Sequence, residues 1–176
     1  MKKERKHIRL SDWDYSSSGI YFITICCHNR QPFLGRIIKN EINYSKIGLI
    51  ALQYWLAIPE HFPDVKLDEL IIMPNHIHGI LILNNRSAVG TRHGVSRLNR
   101  NQFAKPIKNS VSVIINQYKS SVKRWCNKNG FNDFKWQSRF YDRIVHNENS
   151  IDRIREYIRN NPNNWKEDDL NNSLSI

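Results

Sequence analysis

The stretch VKLDELIIMPNHIHGILIL, residues 65–83, constrains the fold more than any other part of the chain. Two apolar, β-branched runs are split by Pro74-Asn75, a dipeptide that favours a tight turn. The reading is strand, turn, strand, with the second run pairing back on the first. The turn also places two histidines at the start of that second strand. Side chains at i and i+2 of a strand point the same way, so His76 and His78 share one face while Ile77 packs into the other. Two imidazoles on one face can bind one metal ion. Taken alone, a His-x-His pattern is matched about as often by surface or hydrogen-bonded core histidines.

The flanking patterns supply the remaining elements. GIYFITICC (19–27) is β-branched and aromatic after the turn-like SSSG, and reads as a strand. In NYSKIGLIALQYWLAI (43–58), Ile47, Ile50, Ala51, Tyr54, Trp55 and Ile58 recur at helical spacing up to Pro59, which stops the helix. A second helix over about 110–126 carries Val111, Ile114, Ile115, Tyr118, Val122 and Trp125 on one face, with Lys119, Lys123 and Arg124 away from it. FYDRIVH (140–146) reads as a short strand. NSIDRIREYIRNNP is a last helix capped near Asn149 or Ser150, with Asp152 in its first turn and Pro162 closing it.

The order β-α-β-β-α-β-α predicts an α+β fold of the ferredoxin-like, split β-α-β type: an antiparallel sheet with helices on one face, plus a C-terminal helix. At 176 residues the chain suits one domain, over 19–165, with a basic N-terminal arm (1–18) and a tail (166–176) expected to fray. The long polar loop at 84–108 is of a kind usually functional or disordered.

Charge narrows the partner. Lys and Arg number 27 against 16 Asp and Glu, a formal charge of +11. Between residues 70 and 132 there is no carboxylate, while Arg86, Arg92, Arg97, Arg100, Lys105, Lys108, Lys119, Lys123, Arg124 and Lys128 are cationic. Such a one-signed field favours polyanions, nucleic acid or an anionic membrane surface. No stretch has 18 continuous apolar residues and no apolar signal core follows the N-terminus, so a cytoplasmic protein is expected. Cys26, Cys27 and Cys126 lack metal or disulfide-framework spacing and read as reduced packing residues.

On the last helix Tyr157 and Asn161 are four residues apart, hence on one face about a turn from each other, beside the buried stripe of Ile151, Ile154 and Ile158. Singly, a boundary tyrosine and a cap asparagine explain them equally well. The ordered combination of MPNHIHGILIL, the basic helix SVSVIINQYKSSVKRW and WQSRFYDRIVHNENSIDRIREYIRNNPNNW resembles the REP-associated tyrosine transposases, relatives of the single-tyrosine HUH transposases of insertion sequences. The similarity runs over about 19–165. The resemblance implies that His76, His78 and Asn161 hold a divalent metal, Mg²⁺ or Mn²⁺, and that Tyr157 is the nucleophile. It implies cleavage of single-stranded DNA beside hairpin-forming repeats, leaving a 5′-phosphotyrosine and a free 3′-OH, in a prokaryotic cytoplasm at the nucleoid. A phenol of ordinary pKa about 10 needs a cationic setting to attack near neutral pH.

Lys119, Lys123, Arg124, Arg139 and Arg143 are candidate DNA-backbone contacts, and Trp13, Tyr15, Trp136, Phe140 and Tyr141 candidate stacking surfaces for unpaired bases. A non-catalytic hairpin-binding regulator derived from a transposase is the alternative from a different class, and a replication initiator or relaxase ranks third. Monomer and homodimer are both open.

Overall fold

The computed structural model describes residues 17–84, 109–168 and 170–171. Trp13, Tyr15 and almost all of the basic 84–108 loop therefore lie outside the described residues.

The main sheet holds β1 (Gly19–Cys26), β4 (Val65–Ile72), β5 (His76–Leu83) and β6 (Tyr141–Val145), in the order β4-β5-β1-β6. Every neighbouring pair is antiparallel. With α1 (Lys46–Leu56) between β1 and β4 and α3 (Val111–Lys128) between β5 and β6, this is the ferredoxin-like plan, an α+β fold as the sequence predicts. The short α2 (Ile58–His61) follows α1, and α4 (Glu148–Asn160) closes the order.

Strand alternation divides the core in two. Tyr21, Ile23 and Ile25 of β1 and Ile77 and Leu81 of β5 meet Trp55 of α1 and Ile114, Ile115 and Val122 of α3. Gly79 sits on this face because the Trp55 ring lies against it: an added Cβ would stand 2.4 Å from the indole. The opposite face receives α4, whose Ile151, Ile154 and Ile158 pack with Ile71, Ile80 and Val145. The C-terminal helix thus covers the face that α1 and α3 leave open.

Several boundaries differ from the sequence reading. Residues 43–44 belong to a strand: β2 (Gly35–Ile38) and β3 (Glu41–Tyr44) form a hairpin that the reading missed. Lys39 and Asn40 both have positive φ, 51° and 64°, the backbone of a tight two-residue hairpin turn. Ser45 then caps α1, accepting from the Gly48 amide at 3.0 Å. Pro59 opens α2 as well as ending α1, since a proline is tolerated in a first helical turn. The cap of α4 is Asn147, two or three residues earlier than expected, and its side chain accepts from Ser150 N at 2.8 Å.

A register shift in β4 between Leu67 and Leu70 presents Asp68 and Glu69 to α4. Arg155 Nη2 meets Asp68 Oδ2 at 2.5 Å, and Arg159 pairs with Glu69, its Nε 2.8 Å from Oε1. Helix α4 is therefore seated by an isoleucine stripe and two ion pairs. Among the described residues no helix is long and apolar enough to cross a membrane. Cys26, Cys27 and Cys126 are buried free thiols.

Candidate active site

The histidines lie on the α4 side of the sheet, opposite β1: His76 faces Cys26 and His78 faces Thr24. Both are almost wholly buried, at 0% and 3% exposure. His78 is held at both nitrogens, with Nδ1 2.9 Å from Thr24 Oγ1 and Nε2 3.2 Å from the Tyr157 hydroxyl. Phe22 stacks on its ring at 5.2 Å and meets Tyr157 edge-on at 6.2 Å. The i, i+2 spacing brings the two imidazole centroids to 4.5 Å.

The protonation of His76 follows from its neighbour. The Asn75 amide nitrogen donates to Arg30 O at 3.1 Å and Leu170 O at 2.6 Å, so its Oδ1 is the acceptor that faces His76 Nδ1 at 2.8 Å. Nδ1 must then carry the hydrogen, and the neutral ring keeps its lone pair on Nε2. Burial favours that neutral form, holding His76 well below the ordinary imidazole range, with His78 and Arg30 adding to the shift. Burial also pushes His78 down to about 4. Both rings are thus neutral, the form a metal ligand needs.

His76 Nε2, Asp168 Oδ2 and, at the end of α4, Asn161 Oδ1 are buried acceptor-capable atoms without a hydrogen-bond partner, and the first two lie 3.9 Å apart. Buried polar atoms are nearly always paired, so a nitrogen, an amide oxygen and a carboxylate oxygen left without donors fit a divalent cation. Among the described residues no three His, Cys, Asp or Glu side chains are grouped so as to hold a metal ion. An amide ligand falls outside that set, and His78 Nε2 is engaged by Tyr157.

The sequence candidates fall into two groups. Tyr157 and His78 are brought together, and Asn161 ends α4 as its C-cap, 3% exposed. Tyr141 pairs with Thr24 and Arg143 with Phe22 across β1 and β6, so both face the site. With Phe22, Thr24 and Tyr157 they line a cleft of about 520 Å³. Tyr141 therefore sits closer to the site than its sequence neighbourhood implied, but the contact with His78 belongs to Tyr157.

The helix lysines are placed differently from the reading. Lys119 is buried rather than turned to solvent, donating to Gln137 O at 2.7 Å and Ser138 O at 3.2 Å. Lys123 donates to Phe134 O at 2.6 Å and Asn132 O at 3.1 Å. The segment before β6 folds back over α3 and offers these carbonyls, which a helical wheel does not show. Arg124 is exposed, and with Lys119, Lys123, Lys135 and Trp136 it borders a groove of about 750 Å³. Arg139 is exposed ahead of β6, and Phe140 is a core residue.

Thr24, Asn75 and Asp168 were not found in the sequence. Thr24 could have been, by extending the alternation of β1 across its partner strand. Asp168 lies in the stretch expected to fray; within its described residues Leu170 O accepts from Asn75, and Asn171 Nδ2 donates to Trp165 O at 2.8 Å.

With this geometry established, comparison with known proteins places the chain. An uncharacterized protein of Haemophilus influenzae is 37% identical over 167 residues, which cover 94% of this chain and 92% of the relative. The chain belongs to that protein's family. No family model matches the chain. Among solved structures, a REP-associated tyrosine transposase bound to a REP hairpin superposes with a TM-score of 0.58 at 16% identity, over 89% of this chain and 74% of its own. The chain has the fold of that transposase.

Proposed function

We propose that the protein is a single-tyrosine transposase: a metal-dependent endonuclease and strand transferase acting on single-stranded DNA beside a hairpin. The observation that carries the reading is the Tyr157 hydroxyl, half-exposed in a cleft and 3.2 Å from Nε2 of a buried neutral histidine. A nucleophile must be reachable by a phosphate and fixed relative to the group that activates it, and Tyr157 meets both demands.

His76, His78 and Asn161 would hold a divalent cation, Mg²⁺ or Mn²⁺, which as a Lewis acid polarises the scissile phosphate. His78 Nε2, which now meets the phenol, would be the histidine's ligand atom when such an ion is bound. The Tyr157 oxygen then forms a bond to phosphorus as the P–O3′ bond breaks; the phenol gives up a proton and the departing 3′-oxygen gains one. The product is a 5′-phosphotyrosine, a phosphodiester that a second 3′-OH can attack without ATP. Tyr157 and His78 meet within one chain, so a second copy is not needed to assemble the pair.

Arg143 borders the same cleft and Tyr141 offers a half-exposed ring there, suited to a phosphate and an unpaired base. Arg124 and Arg139 are exposed and free to reach a hairpin stem, whereas Lys119 and Lys123 contribute through the groove they border. Such a protein acts in the cytoplasm, at the nucleoid.

The test incubates the protein and Mn²⁺ with single-stranded DNA from the flanks of its own gene and looks for a covalent adduct on a denaturing gel. An adduct mapping to Tyr157 is expected. Hairpin binding without any adduct would replace this reading with that of a non-catalytic regulator.

A further inference from the structure

We infer that Asp168 is a ligand of the same metal ion, brought to it by the C-terminal turn; this rests on the metal-dependent reading above. The chain leaves α4, makes a 3-10 turn at Trp165–Glu167, and passes its indole 6.0 Å from the His76 ring. Asp168 follows. Its Oδ1 accepts from Leu170 N at 2.7 Å, which fixes the carboxylate and leaves Oδ2 directed inward. The side chain is 8% exposed, and Oδ2 has no hydrogen-bond donor.

The atom it faces is His76 Nε2, 3.9 Å away. Asn75 has already assigned that nitrogen a lone pair, so two buried acceptors face each other and neither has a hydrogen-bond donor. A separation of 3.9 Å is too long for a hydrogen bond. It lies within the about 4.2 Å that two donors on one ion can span at ligand distances of about 2.1 Å.

Asn75 couples the two halves of this arrangement. Its Oδ1 orients His76, while its Nδ2 holds Leu170 O and with it the turn that carries Asp168. One buried amide therefore sets both candidate ligands. A carboxylate adds a hard oxygen and a negative charge to a site otherwise made of neutral groups, and shifts its preference toward Mg²⁺ or Mn²⁺.

The experiment uses the full chain and follows Mn²⁺ binding through loss of the free-ion EPR signal. Asp168→Asn keeps the shape and removes the charge, and should weaken Mn²⁺ binding at least tenfold. Asp168→Cys should bind Cd²⁺ with a thiolate-to-metal charge-transfer absorption above that of the wild type, which keeps only Cys26, Cys27 and Cys126, a gain that a merely structural aspartate would not produce. Unchanged Mn²⁺ affinity in Asp168→Asn, or Cd²⁺ binding to Asp168→Cys without that gain, overturns the assignment. The DNA adduct separates this inference from the proposed function. An adduct with wild-type Mn²⁺ affinity in Asp168→Asn sinks Asp168 and spares the nuclease. Weakened affinity in that variant, with no adduct from wild type, does the reverse.

Discussion

The two faces of the sheet are built on different principles. The face toward α1 and α3 is continuous and apolar: Trp55, Tyr21, Phe134 and a set of isoleucines are fully buried, and Tyr118 crosses from α3 to give its hydroxyl to Ala51 O at 3.0 Å. The face toward α4 is thinner. Three isoleucines of α4 meet a small cluster, two ion pairs do the rest of the seating, and a row of polar groups, Asn75, His76 and His78 among them, is buried alongside. Burial stabilises by roughly 25 cal/mol per Å² of apolar surface, so the first face holds the protein together. Buried polar groups cost free energy unless satisfied, so the second is where stability has been exchanged for chemistry.

The sharpest separation of the two faces comes from Tyr157→Phe. Removing one exposed oxygen should leave unfolding free energy within about 0.5 kcal/mol of wild type. It should nevertheless abolish adduct formation and strand transfer, a loss of more than about 4 kcal/mol in transition-state terms if activity falls over a thousandfold. Chemical denaturation alongside the adduct gel reads both quantities. An adduct surviving in this variant, or mapping to Tyr141 in wild type, would move the nucleophile to the neighbouring tyrosine of the same cleft.

The converse is Trp55→Ala. It empties a fully buried site against Gly79 and Tyr118, the indole and phenol rings being 5.3 Å apart, and should destabilise by about 3–5 kcal/mol. The residual folded fraction should keep wild-type Mn²⁺ affinity, because the α4 face is on the other side of the sheet. Affinity falling in step with stability would show that the faces are not separable.

Acidity distinguishes the faces next. The folded pKa of His78, about 4, lies below its unfolded value near 6.5, so the neutral ring's contribution is complete above pH 6.5. As pH falls from 6.5 to 4, the unfolded chain takes up a proton that the folded chain refuses, and about 3 kcal/mol is lost. His76 shifts in the same direction. The apolar face responds to alkali: burial raises Tyr118 well above 10, so the unfolded chain ionises first and stability declines as pH climbs past that value. Urea midpoints in a chelator should fall on both limbs. His78→Asn should make the acid limb shallower and leave the alkaline one, and Tyr118→Phe the reverse; a single variant changing both would defeat the separation.

How legible each face was follows from the range of its contacts. Alternation over two residues placed His76, His78 and Ile77 correctly, and spacing of three and four placed the stripes of α3 and α4, because these patterns report neighbours one turn or one pleat away. The β2–β3 hairpin was missed because its strands are four residues each and its Lys39-Asn40 turn lacks the glycine that usually marks such turns. Lys119 and Lys123 were read as solvent-facing because the carbonyls that cover them arrive from residues 132–138, outside the helix. Asp168 had no local signal at all. It sits in a polar, aperiodic run, and what holds its turn is an amide 95 residues earlier in the chain.

The smallest predicted effect concerns how the second face holds its nucleophile. Asp68 meets Arg155 in a two-pronged pair that keeps its carboxyl below the usual range, and the next carboxylate, Glu69, takes Arg159 one turn further on. Tyr157 lies between these two arginines in sequence, on a neighbouring face of the same helix. The β4 irregularity at residues 68–69 thus fixes the rotation and height of α4 over the histidines. Because Arg155 is about a third exposed, its pair should contribute little to global stability, about 1 kcal/mol or less. Its effect on geometry is larger than its effect on folding, since a displacement of about 1 Å at a reacting group can cost a hundredfold. Arg155→Ala should therefore slow adduct formation about tenfold or more while shifting the urea midpoint only slightly. Asp68→Ala should reproduce that ratio, and the double variant should be no slower than either single one. Additive slowing would mean that the two residues act separately, and that α4 is positioned by its isoleucine stripe alone.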